Sequence, residues 1–244
     1  MCATDSREAP LMATRPHRLH SPFTAREDVV RVCCALAERQ LIAGQDGNVS
    51  MRTGENRVLV TPAGFAKGQL SADDLVEVTL DGEQIGGKHR ASSELGLHLA
   101  AYRVRADVQA VVHAHPVHAT AFTLVGESVP DGVLAELIFT VGTVALAPYV
   151  QPGTSAVGEV LEPILVQHDV VLLAHHGAVA LGRSLQEALF AMESLEHGAR
   201  MIHLARQLGS VVTLDAAACE ALRAARRRAR NEAAQGAAHL GDKE

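Results

Sequence analysis

The sequence predicts an α/β layered domain. Short apolar runs alternate along the chain with longer stretches of helical spacing, which points to interleaved strands and helices rather than a bundle or a sandwich. Helix-start signals fall between those runs. Two of the runs, Val108–Val112 and Val170–Ala174, read as buried strands, and both end on histidine. No strand–helix–strand regularity forces a purely parallel sheet.

Taken in order, residues 1–22 are polar, proline-punctuated and without periodicity, and read as a flexible extension. The pattern Thr24-Ala-Arg-Glu27 resembles a capping box, opening a helix to about Gln40. Strands are expected at Val49–Arg52, Arg57–Thr61 and Leu75–Leu80, joined by glycine-rich turns. Ser92 or Ser93 should cap a helix to about Val104, followed by the strand Val108–His113. Pro116 can open a helix to about Leu124, because a missing N–H costs nothing in a first turn. A strand near Thr143–Ala147 and a helix capped by Thr154 or Ser155, running to about Gln167, come next. After the strand Val170–Ala174, a second capping box, Ser184-Leu-Gln-Glu187, starts the longest helix, to about Leu208. The expected domain is 23–210, and 211–244 is an Ala/Arg-rich, helical tail.

With 244 residues, 48% of them hydrophobic and no tryptophan, the core must be built from Val, Leu, Ile and Ala. A net charge of −6 argues against nucleic acid or an anionic membrane as partner. No apolar stretch reaches the length of a membrane span, and no signal-peptide core is apparent. The four cysteines (Cys2, Cys33, Cys34, Cys219) form neither a CxxC pair nor a disulfide framework, so a reducing cytoplasmic compartment is expected. The acidic residues Glu187, Glu193 and Glu196 read as a solvated helix face or a subunit contact. The basic run Arg223, Arg226–Arg228 and Arg230 reads as a charged face of the tail.

The chemistry concentrates on His113 and His115. Side chains at i and i+2 of a strand share a face, and Pro116 ends the ladder, so the two imidazoles should project together. That is half of a metal site. His175-His176-Gly177 closes the other buried run. If strand alternation holds, only one of these two can reach the metal. His176 is the better choice, because Gly177 permits close backbone approach. His118 reads as an outer contact or a helix-surface residue. Ser92-Ser93-Glu94 is either a plain helix start or an anion site with Glu94 beside it as ligand or general base. The loop Gly44-Gln-Asp-Gly47-Asn48-Val-Ser50 could be a nest for phosphate or only a turn, as could Thr61-Pro-Ala-Gly64.

In this order the motifs resemble the class II aldolase/adducin family, and in particular its zinc-dependent fuculose-phosphate aldolases. The resemblance rests on GNVS (Gly47–Ser50), TPxG (Thr61–Gly64), SSE (Ser92–Glu94), HxH (His113, His115), APY (Ala147–Tyr149) and HHG (His175–Gly177), and covers about residues 25–208. It implies a three-layer α/β fold with a central, mainly antiparallel sheet flanked by helices, and a homotetramer with active sites between subunits. It implies His113, His115 and His176 as ligands of one Zn2+ per subunit, with another divalent metal able to substitute. It implies Glu94 as the carboxylate that contacts the metal and shuttles a proton. Gly47, Asn48, Gly64, Ser92 and Ser93 then hold the phosphate of a small phosphorylated sugar. The implied reaction is retro-aldol cleavage of a phosphorylated ketose through a zinc-stabilised enediolate, giving dihydroxyacetone phosphate and an aldehyde. Decarboxylation of a sugar-acid phosphate, epimerisation and dehydration use the same logic, and a non-catalytic adducin-like module is the alternative of another class. The chain departs from the fuculose enzymes in three places. Ala63 replaces a threonine of the phosphate turn, Leu134 stands where a proton-donating tyrosine is expected, and a C-terminal tyrosine has no counterpart. Glu136 or a water would then serve the aldehyde half.

Overall fold

The structure is a computed structural model that describes residues 22–154 and 156–241. Residues 1–21 of the expected extension, with Cys2, and the alternative cap Ser155 lie outside the described residues. The chain opens with α1 (Pro22–Glu38) and the hairpin β1 (Asn48–Gly54) and β2 (Arg57–Val60), followed by β3 (Val76–Val78) and β4 (Gln84–Gly86). Then come α2 (Leu95–Val104), β5 (Ala110–Ala114), α3 (Val117–Leu124) and β6 (Ala145–Ala147). The remainder is α4 (Ala156–Leu165), β7 (Val170–Leu173), β8 (Gly177–Gly182), α5 (Leu185–Leu208) and α6 (Ala216–Gly241).

The strands form one sheet in the order β4-β3-β2-β1-β5-β8-β7-β6. Every pairing is antiparallel except β6 with β7. Alternate residues of the same strands enter two different cores, as the pleat requires. Val49, Val112, Leu172 and Ala180 pack with α1, α3 and α5. Val58, Val60, Val111, Val171 and Val179 pack with α2 and α4. The long α5 shows why it packs: Leu185, Ala188, Leu189, Met192, Leu195, Ala199 and Ile202 recur at helical spacing and are all buried. Each large side chain in that stripe contributes roughly 1.5–3 kcal/mol by leaving water.

Several expectations are corrected. The central strand β8 had no forecast, because its Ala and Gly residues are weak strand formers. All six of its residues are buried, and small side chains suit that position. A Cβ on Gly177 would sit 2.5 Å from the Ala114 carbonyl oxygen and 2.7 Å from Cδ2 of His115. β8 therefore runs between the two histidine-bearing strands, which are not neighbours. Since both pair antiparallel with it, they still end at the same edge of the sheet. The short polar edge strand β4 was also unforeseen.

Helix starts differ too. α1 begins at Pro22, not at the Thr24 box, since proline suits a first turn. α2 begins at Leu95 with Glu94 in the cap position, because Ser92 is held extended: its N–H donates to the Thr61 carbonyl at 3.1 Å, beside the Pro62–Ala91 bridge. Ser184 does cap α5, accepting from the Glu187 N–H at 3.1 Å, but the Glu187 carboxylate turns to the Arg183 N–H instead of completing the box.

The acidic stripe on α5 is not simply solvated. Glu196 accepts from the N–H groups of His118 and Ala119 at 2.9–3.0 Å, and from His118 Nδ1 at 2.7 Å, satisfying the start of α3. Glu193 pairs with Arg39. The arginines of α6 fold back on their own chain: Arg226 and Arg230 reach Asp169 at 2.8 and 2.6 Å, with Arg105 on its other side at 2.9 Å. Cys33, Cys34 and Cys219 are free thiols. Among the described residues no helix is long and apolar enough to cross a membrane.

Candidate metal centre

The sheet edge where β5 and β7 end gathers three imidazoles. His113 sits within β5, paired with Asn48 of β1 on one side and Val179 of β8 on the other. His115 lies just past the strand, its N–H donating to the Leu41 carbonyl at 2.9 Å. His176 stands on the three-residue loop between β7 and β8, so strand alternation does not govern it. Instead His175 turns left-handed (φ 57°), and the two neighbouring histidines separate there. His175 departs toward Thr123 and Tyr149, and His176 joins the cluster.

The ring centroids of His113, His115 and His176 form a near-equilateral triangle, 4.7–5.0 Å on a side. Nε2 of His113 lies 3.2 Å from Nε2 of His115 and 3.3 Å from Oε2 of Glu94; Oε1 of Glu94 lies 3.4 Å from Nε2 of His176. Ligands about 2.0–2.1 Å from a tetrahedral ion are separated by roughly 3.3 Å, so these spacings suit a small cation. The hydrogen bonds agree. Nδ1 of His113 donates to the Ala178 carbonyl at 3.0 Å, and Nδ1 of His115 faces the Asp46 carboxylate at 3.2 Å. With Nδ1 engaged in each ring, Nε2 of His113 and Nε2 of His115 face one another, the arrangement in which one cation between them could be coordinated by both.

Charge states follow from burial. It lowers the affinity of His115 and His176 for protons, reinforced by His113, and His176 falls to about 4. Both are therefore neutral at pH 7, the state in which an imidazole can bind a cation. Burial opposes the charge of Glu94, but the His113 ring, the Asn48 amide and His176 outweigh it and hold the carboxyl well below the usual range.

The other predicted site residues surround this cluster. Gly47 takes a positive φ of 71° and lies against the His113 carbonyl, where a Cβ would sit 2.9 Å away. Asn48 is buried, and both atoms of its amide are engaged: Nδ2 donates to Glu94 Oε2 at 2.8 Å and Oδ1 accepts from His98 Nε2 at 2.5 Å. Gly64, also at positive φ, opens onto free space in the turn that pairs with residues 90–92. Ser92 is nearly buried, and its hydroxyl accepts from the Glu94 N–H at 3.2 Å; Ser93 is exposed. Glu136 is exposed at the start of a wide helical turn, Leu137–Val141, and Leu134 packs into the core shared by α1, α3 and α5.

Three residues of the site escaped the sequence reading. His98 is wholly buried behind Asn48, Asp46 supports His115, and Lys67 braces the loops. The Lys67 ammonium, only 3% exposed, donates to the carbonyls of Gln45 and Phe65 at 2.8 and 2.7 Å. It thus ties the Gly44–Gly47 loop to Phe65, the residue that follows the Thr61–Gly64 turn. Burial lowers its pKa, opposed by Cys33, Asp46 and Glu94. A lysine beside a glycine in a loop carries no sequence signal, but a histidine four residues after Glu94 on a helix could have been noticed. Lys67→Met, which keeps the stem and loses the donors, should cost about 1–3 kcal/mol, read as a lower urea midpoint.

The profile of the class II aldolase and adducin N-terminal domain matches residues 27–203. The chain is 34% identical to a 3-oxo-tetronate 4-phosphate decarboxylase of Pectobacterium atrosepticum over 190 residues, 76% of this chain and 87% of that one. It is 32% identical to an L-fuculose phosphate aldolase of Methanocaldococcus jannaschii over 180 residues, 72% of this chain and 94% of that one. Among solved structures, YgbL of Escherichia coli, described as a putative aldolase/epimerase/decarboxylase, superposes with TM-score 0.77 at 32% identity, covering 82% of this chain and 98% of that one. An L-fuculose 1-phosphate aldolase superposes with TM-score 0.78 at 25% identity, covering 85% and 98%.

Proposed function

Because this chain belongs to the class II aldolase and adducin family, we propose that it is a metal-dependent carbon–carbon lyase that decarboxylates a phosphorylated 3-oxo sugar acid. The convergence of His113, His115 and His176 with the Glu94 carboxylate carries the lyase reading. A non-catalytic adducin-like module would have no use for that convergence. The tyrosines favour decarboxylation over aldol cleavage: the chain has two, of which Tyr102 is buried against Ser50 and Tyr149 is 60% exposed. Loss of carbon dioxide needs no acid–base group for a leaving aldehyde. The relatives named decarboxylases support the same choice. Retro-aldol cleavage of a ketose phosphate is the second reading, supported by the likeness to fuculose-phosphate aldolases.

In this reading His113, His115 and His176 hold Zn2+, since three imidazoles leave one position open to substrate. The cation would draw electrons from a substrate carbonyl and offset the charge that forms as the neighbouring carbon–carbon bond breaks. Glu94, ionised at the start, accepts a proton from water, and the hydroxide passes to solvent. As C1–C2 breaks and carbon dioxide leaves, the electron pair stays with C2, and Glu94 returns the proton there. A 3-oxo-tetronate 4-phosphate so treated becomes dihydroxyacetone phosphate. Gly47, Asn48, Gly64, Ser92 and Ser93 form the side of the site assigned to the phosphate, where backbone N–H groups and hydroxyls receive an anion without competing for the metal.

The same reading takes the two helix groups as the outer layers of a three-layer domain spanning 23–210, with α6 as an appendage. It places the enzyme in the cytoplasm as a homotetramer, to which the exposed Val117, Leu124 and Val125 on α3 and just after it would contribute contact area. The test is turnover of 3-oxo-tetronate 4-phosphate and of L-fuculose 1-phosphate by the zinc-loaded protein. Dihydroxyacetone phosphate and carbon dioxide should appear from the first, cease on chelation and return with zinc. Aldehyde release from the second substrate alone would establish the aldol reading instead. No metal-dependent turnover of either would end the lyase proposal.

A further inference from the structure

Behind Glu94 lies a buried chain of polar groups, of which the reaction above uses only Asn48. Nδ1 of His98 is 2.7 Å from Ser50 Oγ, which is 2.8 Å from the Tyr102 hydroxyl. Nε2 of His98 is 2.5 Å from Asn48 Oδ1, and Asn48 Nδ2 is 2.8 Å from Glu94 Oε2. His98, Ser50 and Tyr102 are at most 2% exposed, and Asn48 is 3% exposed.

The direction of every bond can be deduced. An ionised carboxylate only accepts, so Asn48 must present its NH2 to Glu94 and its oxygen to His98. His98 Nε2 therefore carries a proton. Burial, with His113 adding to it and Glu94 opposing, pushes the ring down to about 3, so it holds one proton and Nδ1 is a lone pair. Ser50 must donate to that lone pair. Its single hydrogen being committed, Tyr102 must donate to Ser50. All four bonds thus point one way, from Tyr102 toward Glu94.

We propose that His98 is a positioning residue: its Nε2–H locks the Asn48 carboxamide in the one orientation that offers a donor to Glu94. A flipped amide would set NH2 against N–H at His98 and oxygen against carboxylate at Glu94, two repulsive pairs in place of two bonds. The carboxylate is thereby held with one oxygen toward His113 and the other toward His176. This rests on the reading of Glu94 as proton carrier, but the ring assignment does not.

Two variants separate positioning from mere packing. The amide of His98→Gln can reach the place of the Nε2–H, whereas that of His98→Asn reaches only the place of Nδ1. His98→Asn should lose about 10–100-fold in kcat with little change in KM and with zinc affinity retained, and His98→Gln should recover most of that loss. Equal loss in both variants, or loss in neither, overturns the proposal. Nitrogen-15 spectra of the histidine rings in the wild-type protein at pH 7 need no turnover. They should show His98 neutral with its proton on Nε2. A proton on Nδ1, or on both nitrogens, overturns the proposal whatever the enzyme does. A wild-type protein inert toward sugar phosphates but showing the expected ring would sink the lyase reading alone.

Discussion

Glu94→Gln is expected to lower kcat by about 10²–10⁴-fold while the protein keeps its fold and its bound metal. The substitution preserves shape. Its carbonyl oxygen can still accept from Asn48 Nδ2, and His113, His115 and His176 remain in place. What it removes is the carboxylate that faces both His113 and His176 and can take up and return a proton there. The check is steady-state turnover beside a metal analysis of the same sample. Undiminished kcat would remove Glu94 from proton transfer. Loss of metal together with activity would make it a ligand first.

The second large effect is on stability. His98 holds one proton in the folded protein down to about pH 3, whereas an unfolded chain takes up a second near pH 6.5. Between those values the unfolded state binds more protons, so stability rises with pH across the window and is lost as pH falls below about 6.5. Each unit is about 1.4 kcal/mol, so this one group should cost about 2 kcal/mol on going from pH 7 to pH 5. His98→Gln has nothing to protonate and should lack that increment. Urea midpoints of both proteins at the two pH values, with chelator present so that cation release from His115 and His176 does not enter, provide the measurement. Equal losses would show that acid acts elsewhere.

Much of the site was legible because its signals are local. Two histidines flanking one alanine before a proline, and a histidine before a glycine after a buried run, require only the geometry of a short segment to be read together. The rest is decided at long range. β8 is invisible in Gly177-Ala-Val-Ala-Leu-Gly182 taken alone, since what makes it a strand is the fit of small residues between β5 and β7. Likewise Glu196, which resembled a surface charge, acquires its role from the unsatisfied N–H groups at the start of α3. Arg226 and Arg230 in the tail read as a solvated face until Asp169 is seen beneath them.

The sequence by itself determined the α/β class, the family and the residue types that meet at the centre, because periodicity, turn chemistry and motif spacing are properties of neighbours along the chain. The sequence already favoured His176 over His175 beside Gly177; tertiary structure decided how the two part, through a left-handed turn at His175 on a loop that strand alternation does not govern. It also decided that Asn48 braces Glu94 with His98 behind it. The paired histidines His113 and His115 could announce a metal site. Only the folded sheet edge could aim their lone pairs at the same point as His176 and the Glu94 carboxylate.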